Sequence, residues 1–339
     1  MLKSNITKLC AIVIIMSQIG LLALHRSLKN CTSDIMTAQN LSLMEYRVTE
    51  HVRERSESLP TKKQRLPKAL IIGFSKCGTS ALRTFLTIHP YIVSPQAELF
   101  YFSRYFSRGL EWYRRQMPPS TPRQITIEKT PGYIKTKESL QRIYHFDPQI
   151  KLIVIARDPI TRLQSQYAHV YSENGTINSS FDKWCKANGK RVRFFSHYAI
   201  YIRRLYNIFP RDQVLVLNED TLEKDPLSVM RDAEAFLEIP PVFTPDMFVY
   251  DKRKGFFCFN TSTDLFPRVL KLVQVNHLTG CLNSDKGRKH PQINENILEY
   301  LKEVIKPLNE EFFALIGKRF HWDNFEDEYK DKERGEKKR

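Results

Sequence analysis

Short apolar runs alternate along the chain with longer segments in which apolar side chains recur at helical spacing. The runs predict buried strands at Ala69–Ile72, Gln124–Glu128, Lys151–Ala156 and Gln213–Leu217. The amphipathic segments predict helices at Thr79–His89, Glu111–Arg115, Thr161–Val170, His197–Phe209, Pro226–Leu237, Asn294–Ile305 and Pro307–Ile316. Because helices separate the strands, the pattern predicts an α/β fold in which a parallel sheet is flanked by helices.

The first predicted strand enters the first predicted helix through a turn that contains Gly73, Lys76 and Gly78. Such a turn forms an anion site, because backbone N–H groups point into it and the helix dipole adds positive charge. A Walker A loop places its lysine directly after the second glycine, whereas Lys76 precedes Gly78 by two residues. This P-loop-like turn therefore disfavours a nucleotide kinase and fits the 5'-phosphosulfate of an activated sulfate donor. A plain strand–turn–helix with an exposed lysine is the alternative.

A second candidate anion site follows the strand Lys151–Ala156. Arg157 comes directly after that strand, and Ser165 lies one or two turns into the next helix. An arginine and a hydroxyl that converge here can bind a phosphate through a charge-assisted contact. Taken alone, an arginine that caps carbonyls is the simpler interpretation. Together with the turn at Gly73 in the same sheet, the segment predicts a ligand with two separated phosphates.

Charge indicates a polyanionic partner. The 339 residues include 53 Lys and Arg against 37 Asp and Glu, a net charge of +16. A basic surface of this kind favours nucleic acid, anionic lipid or an acidic polysaccharide, and charge alone does not choose among them. The 42% of hydrophobic residues is enough for a packed domain.

The N-terminal region predicts a membrane anchor. An apolar run, Leu9–Leu24, has basic residues on both sides and lacks a clear small-x-small cleavage site, which favours an uncleaved signal anchor over a cleaved signal peptide. The predicted order is a cytosolic tail at 1–8, an anchor at 9–25, a luminal stem at 26–66, a domain at 67–325 and a charged tail at 326–339. Glycosylation sequons beyond the anchor agree with a luminal domain and begin at Asn30, Asn40, Asn174, Asn178 and Asn260. An anchor and sequons disfavour a nucleic-acid-binding protein.

Six cysteines occur in the chain, and we expect Cys258 and Cys281 to form a disulfide in an oxidising lumen. The alternative is two free buried thiols. No C-x-x-C pair or histidine cluster predicts a zinc site, and no metal is expected.

Several ordered blocks between about Leu66 and Trp322 resemble those of Golgi sulfotransferases, and more narrowly those of the heparan sulfate glucosamine 3-O-sulfotransferases. The blocks are Gly73–Leu82, Gly109–Tyr113, Ile125–Pro131, Arg157–Tyr167, Lys254–Cys258, Cys281–Arg288 and Lys286–Pro291. The N-sulfotransferase domain of heparan-modifying enzymes shares several blocks and is the nearest alternative.

The resemblance implies a Golgi type II membrane enzyme that takes sulfate from 3'-phosphoadenosine 5'-phosphosulfate (PAPS) and transfers it to a glucosamine hydroxyl of heparan sulfate. It implies that Lys76, Gly78, Thr79 and Ser80 hold the 5'-phosphosulfate and that Arg157 and Ser165 hold the 3'-phosphate. It also implies that Lys286, Gly287 and Arg288 close over the nucleotide. The implied catalytic residues are Glu98 as the base, with Lys76 and Lys129 near the reacting groups.

The block at Glu98 departs from the family pattern. The family carries Glu-Ile-His-Phe-Phe-Asp, whereas this chain has Glu98-Leu-Phe-Tyr-Phe-Ser103, so that Phe100 and Ser103 replace a histidine and an aspartate. The phosphate turn also has Ser75, Cys77 and Ser80 where the family tends to have arginine, glycine and arginine. We expect an active enzyme with an altered acceptor preference or a slow one. The alternatives are a sulfotransferase for the glucosamine nitrogen or another glycan, and a catalytically weak heparan-binding relative.

Overall fold

A five-stranded parallel sheet forms the centre of the domain. The computed structural model describes residues 61–174, 180–253, 256–273, 275–281 and 290–325. The sheet has the strand order β3-β5-β2-β6-β7, and its strands are β2 (Ala69–Gly73), β3 (Ile92–Val93), β5 (Ile125–Lys129), β6 (Lys151–Ala156) and β7 (Val214–Asn218). Each pair in this sheet is parallel, so all carboxyl ends lie at one edge. This arrangement confirms the predicted α/β fold.

Helices cover both faces of the sheet. Their ranges are α1 (Thr79–Ile88), α2 (Gly109–Arg115), α3 (Lys137–Phe146), α4 (Pro159–Asn174), α5 (Phe181–Ala187), α6 (Gly189–Ser196), α7 (Tyr198–Tyr206), α8 (Glu219–Lys224), α9 (Pro226–Leu237), α10 (Phe266–Leu272) and α11 (Glu295–Ile316). Alternate residues of β2 belong to two different hydrophobic cores. Leu70 and Ile72 pack in one core, and Ala69 and Ile71 pack in the other. A strand buried on both faces reads as a continuous apolar run, which is why β2 and β6 were visible in the sequence.

The last long helix differs from the prediction of two helices that meet at Pro307. Residues Glu295–Ile316 form one helix with Pro307 inside it. An interior proline removes a backbone hydrogen bond and is unfavourable on its own. However, Leu301, Ile305, Leu308 and Phe312 recur at helical spacing and are all buried. Burial of this continuous apolar face outweighs the local cost, and the helix continues through the proline.

Two short antiparallel pairs lie outside the central sheet. Strand β1 (Lys63–Gln64), which falls within the range predicted as stem, pairs with β4 (Pro119–Ser120). Strands β8 (Phe248–Asp251) and β9 (Phe256–Phe259) form the other pair. The structure joins Cys258 of β9 to Cys281 in a disulfide, as expected. No helix among the described residues is long and apolar enough to cross a membrane, and the predicted anchor lies outside that part of the chain.

The C-terminal turn Asp323–Phe325 and the preceding Trp322 are fastened to the segment that follows β6 and to the last residue of β7. The fully buried Trp322 donates its indole N–H to Asn218 Oδ1 at 3.0 Å. Asn324 donates from its backbone and its side chain to Asp158 Oδ2 at 3.2 and 2.9 Å. The other carboxylate oxygen of Asp158 accepts from the backbone of Ile160 and Thr161 and so caps the start of α4.

Candidate active site

The turn between β2 and α1 presents an uncapped helix N-terminus. Gly78 precedes α1 with a φ of 70°, and no side chain caps the helix or places an acid in its first turn. A side chain at Gly78 would also collide with a neighbour, because a Cβ there would lie 2.6 Å from Glu219 Cγ. Lys76 adopts a φ of 67° in the same turn. Free backbone N–H groups and the helix dipole make this turn suitable for an anion, as its sequence predicted.

Arg162 fixes the shape of this turn from behind. Its Nε donates to the Ser75 carbonyl at 3.0 Å, and its Nη1 donates to the Phe195 carbonyl. The guanidinium also lies over the rings of Phe74 and Tyr198. The side chain is buried, so the turn is held by a fully enclosed arginine. The sequence analysis missed this residue.

Arg157 lies at the same edge of the sheet, directly after β6. Its Nε is 2.9 Å from Glu219 Oε2, although the two atoms are not aligned for a hydrogen bond. Burial, together with the positive charges of Arg157 and Lys76, lowers the pKa of His290 to about 4. The electrostatic coupling of His290 to both cations shows that the predicted 3'-phosphate residue and the predicted 5'-phosphosulfate lysine share one basic region.

The remaining residues that were predicted to bind the sulfate donor lie at the following positions. Thr79 and Ser80 form the first turn of α1. Ser165 lies half-buried in the second turn of α4. Lys286, Gly287 and Arg288 lie outside the described residues, between the disulfide-bonded Cys281 and His290.

Lys129 connects the phosphate turn to the predicted base. It ends β5, the strand next to β2, and its side chain is 5% exposed. Its Nζ donates to Glu98 Oε1 at 2.6 Å and to Ser80 Oγ at 3.2 Å. Three residues that were far apart in the sequence therefore meet at one ammonium group.

Buried polar side chains hold the loop that carries Glu98. Arg83 of α1 donates to the Pro95 carbonyl at 3.3 Å and to Gln96 Oε1 at 3.0 Å. Downstream of Glu98, the backbone N–H of Phe100 donates to Thr130 Oγ1 at 3.3 Å. Both anchors are buried, so Glu98 is positioned from each side of the loop.

Glu128 supports the same loop from the core. It is fully buried, accepts from Tyr113 Oη at 3.2 Å and from Thr130 Oγ1 at 2.5 Å, and lies 3.5 Å from the Leu99 N–H. Burial raises the pKa of Glu128 to about 7, against the opposing effect of these donors. The carboxyl serves as a hub between β5, α2 and the loop.

Phe100 and Ser103 shape the loop and have no contact with Glu98 among the hydrogen bonds of the described residues. Phe100 has a φ of 50°, and its carbonyl accepts from the backbone N–H groups of residues 103, 104 and 105 and from Ser103 Oγ at 3.3 Å. Arg104 lies over the Phe100 ring. The positions that hold histidine and aspartate in the family pattern are therefore structural here.

Lys135 adds positive charge near Glu98, and Arg104 adds positive charge near Lys135. Burial lowers the pKa of Lys135, and the positive charges of Arg162 and Arg104 lower it further, while Glu98 opposes them. Lys135 lies in a short turn after β5, and Arg104 lies in the π-helical turn Tyr101–Tyr105. This part of the site is suited to an anionic ligand.

Five residues of the site were not predicted from the sequence: Arg83, Glu128, Arg162, Glu219 and His290. Glu219 had a usable signal, because it directly follows β7 just as Arg157 directly follows β6. The other four are charged or ionisable residues within elements or loops, where nothing in the local pattern shows that they are enclosed.

Comparison with known proteins places this geometry in a family context. Residues 66–315 match the family model described as a sulfotransferase domain. Heparan sulfate glucosamine 3-O-sulfotransferase 5 of Mus musculus is 33% identical over 271 residues, which cover 76% of this chain and 75% of that protein. Heparan sulfate glucosamine 3-O-sulfotransferase 6 of Mus musculus is 34% identical over 284 residues, covering 80% and 79% of the two chains.

A solved structure shares the fold. The sulfotransferase from Alicyclobacillus acidocaldarius superposes with a TM-score of 0.57 at 23% identity and covers 76% of this chain and 98% of its own. At this identity the similarity concerns the architecture of the sheet and helices.

Proposed function

This chain belongs to the sulfotransferase family, together with the heparan sulfate glucosamine 3-O-sulfotransferases, and from that membership we propose that it transfers sulfate from PAPS to the 3-hydroxyl of a glucosamine in heparan sulfate. One observation carries the proposal. Lys129 Nζ lies 2.6 Å from Glu98 Oε1 and 3.2 Å from Ser80 Oγ, so that a carboxylate base and a phosphate turn share one ammonium.

The donor occupies the edge of the sheet where its strands end. Lys76, Gly78, Thr79 and Ser80 hold the 5'-phosphosulfate at the uncapped start of α1, and Arg157 and Ser165 hold the 3'-phosphate. Lys286, Gly287 and Arg288 close over the nucleotide. The fit rests on the chemistry of the described residues, which offer backbone N–H groups and cations but no capping acid at this helix start.

Glu98 activates the acceptor. The sugar hydroxyl attacks sulfur, its proton passes to Glu98, and the bond between sulfur and the phosphate oxygen breaks to release adenosine 3',5'-bisphosphate. Negative charge develops on the departing oxygen, and Lys129 and Lys76 stabilise it. Much of the remaining rate enhancement comes from holding the attacking oxygen in line with the leaving oxygen. In this scheme Glu98 accepts the proton of the sugar hydroxyl, and Lys129 and Lys76 supply the positive charge.

Heparan sulfate suits the positive charge near Glu98. Lys135 interacts with Glu98 and Arg104 interacts with Lys135, and the whole chain carries a net charge of +16. A polyanion is attracted to such a surface over a distance, with a strength that falls as salt rises. An anchor at 9–25 holds the domain in the Golgi lumen, where the polysaccharide partner is found. The sequons of the predicted luminal segment agree with this location.

A substitution of Glu98 tests the catalytic proposal. In the full-length chain, Glu98→Gln keeps the shape of the side chain but cannot accept the proton, so we expect sulfate transfer to fall by about 10²–10⁴-fold. Transfer is measured with labelled PAPS and heparan sulfate oligosaccharides, and binding of adenosine 3',5'-bisphosphate should be nearly unchanged.

The control for this test is Glu111→Gln, which removes an exposed carboxylate that pairs with Arg114 and Arg115 on α2. Equal transfer by wild type and Glu98→Gln would exclude Glu98 as the base. Disaccharide analysis of the product separates 3-hydroxyl sulfation from transfer to the glucosamine nitrogen.

Phe100 and Ser103 favour one second candidate, a heparan-binding relative with weak turnover. Neither side chain has a hydrogen bond to Glu98 in the described part of the chain, so the orientation of Glu98 depends on Lys129. This candidate predicts salt-sensitive binding to heparan sulfate without measurable transfer in the same assay.

A further inference from the structure

Glu219 places a carboxylate against both phosphate-binding elements of the proposed donor site. It begins α8 directly after β7, and its side chain is 14% exposed. One oxygen lies 2.9 Å from Arg157 Nε. On the other side, the position of a Cβ at Gly78 would lie 2.6 Å from Glu219 Cγ and 3.3 Å from Oε1. A single acidic side chain thus fills the space between the arginine and the turn.

The contact between Glu219 and Arg157 is close but incomplete. Both Glu219 Oε2 and Arg157 Nε are buried, and neither makes an aligned hydrogen bond within the described residues. A buried ion pair is favourable only when its geometry is good and its remaining polar atoms are satisfied. Arg157 therefore lies near the Glu219 carboxylate without an aligned hydrogen bond from its Nε to it. An anion in a better position can replace this carboxylate.

Charged groups from several elements face Glu219. Burial raises the pKa of Glu219 to about 7; Arg157 lowers it, whereas Glu223 and Asp158 raise it. Asp220 lies next to it on α8, and burial raises the pKa of Asp220 to about 8, with Glu219 the largest charged contributor. On the turn side, the Cys77 thiol is coupled to both Glu219 and Arg157. The carboxyl of Glu219 can therefore change its charge near neutral pH.

We propose that Glu219 competes with the donor's phosphate for Arg157, and that the nucleotide binds when Glu219 is protonated. This inference rests on the proposed function, because it concerns the site assigned to PAPS. A phosphate and a carboxylate in one enclosed space repel each other strongly, and one arginine cannot neutralise both. Proton uptake by Glu219 removes the repulsion and leaves Arg157 to the phosphate. The residue thereby sets the donor affinity and its dependence on pH.

Calorimetry with adenosine 3',5'-bisphosphate on the full-length chain tests the competition. If only the protonated form of Glu219 admits the ligand, wild-type affinity should fall about tenfold between pH 6 and pH 8, in proportion to the competent fraction. Glu219→Gln should bind about tenfold more tightly than wild type at pH 8 and should lose this pH dependence. Glu219→Ala provides a second variant, and thermal unfolding shows that each variant is folded.

Glu223→Gln is the matched control. It removes one carboxylate from the same helix, but Glu223 is exposed and has no contact with Arg157 closer than the ion-pair limit. Because Glu223 raises the pKa of Glu219, its loss should move the affinity profile slightly toward lower pH, but the dependence on pH should remain and no gain in affinity is expected at pH 8. A gain in Glu223→Gln as large as that in Glu219→Gln would overturn the proposal, because it would show a general effect of net charge.

A bound phosphate also favours protonation of His290, so the experiment needs a separate test of this histidine. Proton uptake on binding is measured by calorimetry in two buffers of different ionisation enthalpy. Uptake at pH 7.5 should persist in His290→Gln and disappear in Glu219→Gln. The reverse pattern would assign the proton to the histidine and overturn the proposal.

The outcomes separate the two proposals. If the bisphosphate binds wild type and Glu219→Gln with equal affinity and equal pH dependence, the competition is wrong and the donor site stands. If it binds neither of them at any pH, although both are folded, the proposed function fails and the competition fails with it.

Discussion

Two arginines of one short segment have different surroundings at the residue scale. Arg157 lies beside the space assigned to a phosphate, whereas Arg162 is buried and donates to the carbonyls of Ser75 and Phe195. The planar fork of a guanidinium reaches two acceptors at once, which an ammonium group on a flexible stem does less well. Arg162 therefore supports the phosphate turn without being expected to touch the ligand.

A conservative substitution tests this supporting role. In Arg162→Lys one of the two carbonyls loses its donor, so we expect the free energy of unfolding to fall by roughly 1–3 kcal/mol. The loosened turn should also bind adenosine 3',5'-bisphosphate about tenfold more weakly. Urea unfolding and calorimetry measure the two effects. Arg203→Lys, at an exposed arginine that pairs with Glu311, serves as the control. Full affinity in a normally stable Arg162→Lys would contradict the role.

The sequence pattern alone predicted some residues of the site but not others. Lys76, Gly78 and Arg157 could be found because they follow strands of a parallel sheet, where ligands bind. Glu98 and Lys129 came from the family resemblance, since a lone carboxylate in an aromatic loop carries no signal of its own. Buried polar groups such as Glu128 remained hidden, because their residue types usually lie at the surface.

The loop that carries Glu98 depends on neighbouring elements at the next scale. It has no regular secondary structure between β3 and Phe100, and it is held by Arg83 from α1 and by Glu128 and Thr130 from the end of β5. Thr130 both accepts from the Phe100 N–H and donates to Glu128. A single hydroxyl therefore connects the loop backbone to the buried carboxyl.

Loss of that hydroxyl should affect turnover more than donor binding. In Thr130→Val the Phe100 N–H and Glu128 each lose a partner, so Glu98 is held less firmly and kcat should fall about tenfold. The KM for PAPS should change little, because the phosphate turn is not part of this network. Thr130→Ser keeps the hydroxyl and should restore most of kcat. A Val variant with the kcat of the wild type would show that the hydroxyl does not position Glu98.

Element prediction succeeded where burial or amphipathicity was strong. The range Lys151–Ala156 was predicted with its observed bounds because five of its six residues are apolar, and α9 was predicted because its apolar residues recur at helical spacing. The two-residue strand β3 is too short to show a period. Pro307 misled the prediction because a local rule was applied where tertiary packing decides.

Buried carboxyls affect the stability of the whole molecule. Burial raises the pKa values of Glu128 and Glu219 from 4.5 to about 7. Between about pH 4.5 and pH 7 the folded chain holds protons at these groups that the unfolded chain releases. The unfolded state binds fewer protons there, so stability decreases as the pH rises through this window. His290 acts in the opposite direction, because burial lowers its pKa from 6.5 to about 4.

The chain should therefore be more stable at pH 6 than at pH 8. Glu128 alone should contribute roughly 1 kcal/mol of this difference. The change is measured by urea unfolding at pH 6, 7 and 8. Glu128→Gln, which keeps the shape but cannot ionise, should flatten the profile and raise the stability at pH 8. A wild-type chain that is at least as stable at pH 8 as at pH 6 would exclude this account.

The C-terminal turn has a consequence for biosynthesis. Trp322 and Asn324 fasten the last residue of β7 and the segment after β6, next to Glu219 and Arg157. A ribosome delivers the N-terminal parts of a chain first. A nascent polypeptide that has already exposed the whole parallel sheet still lacks these clasps while residues 322–324 occupy the exit tunnel. The sheet edge that carries Arg157 and Glu219 is thus tied together only after Trp322 and Asn324 have left the ribosome.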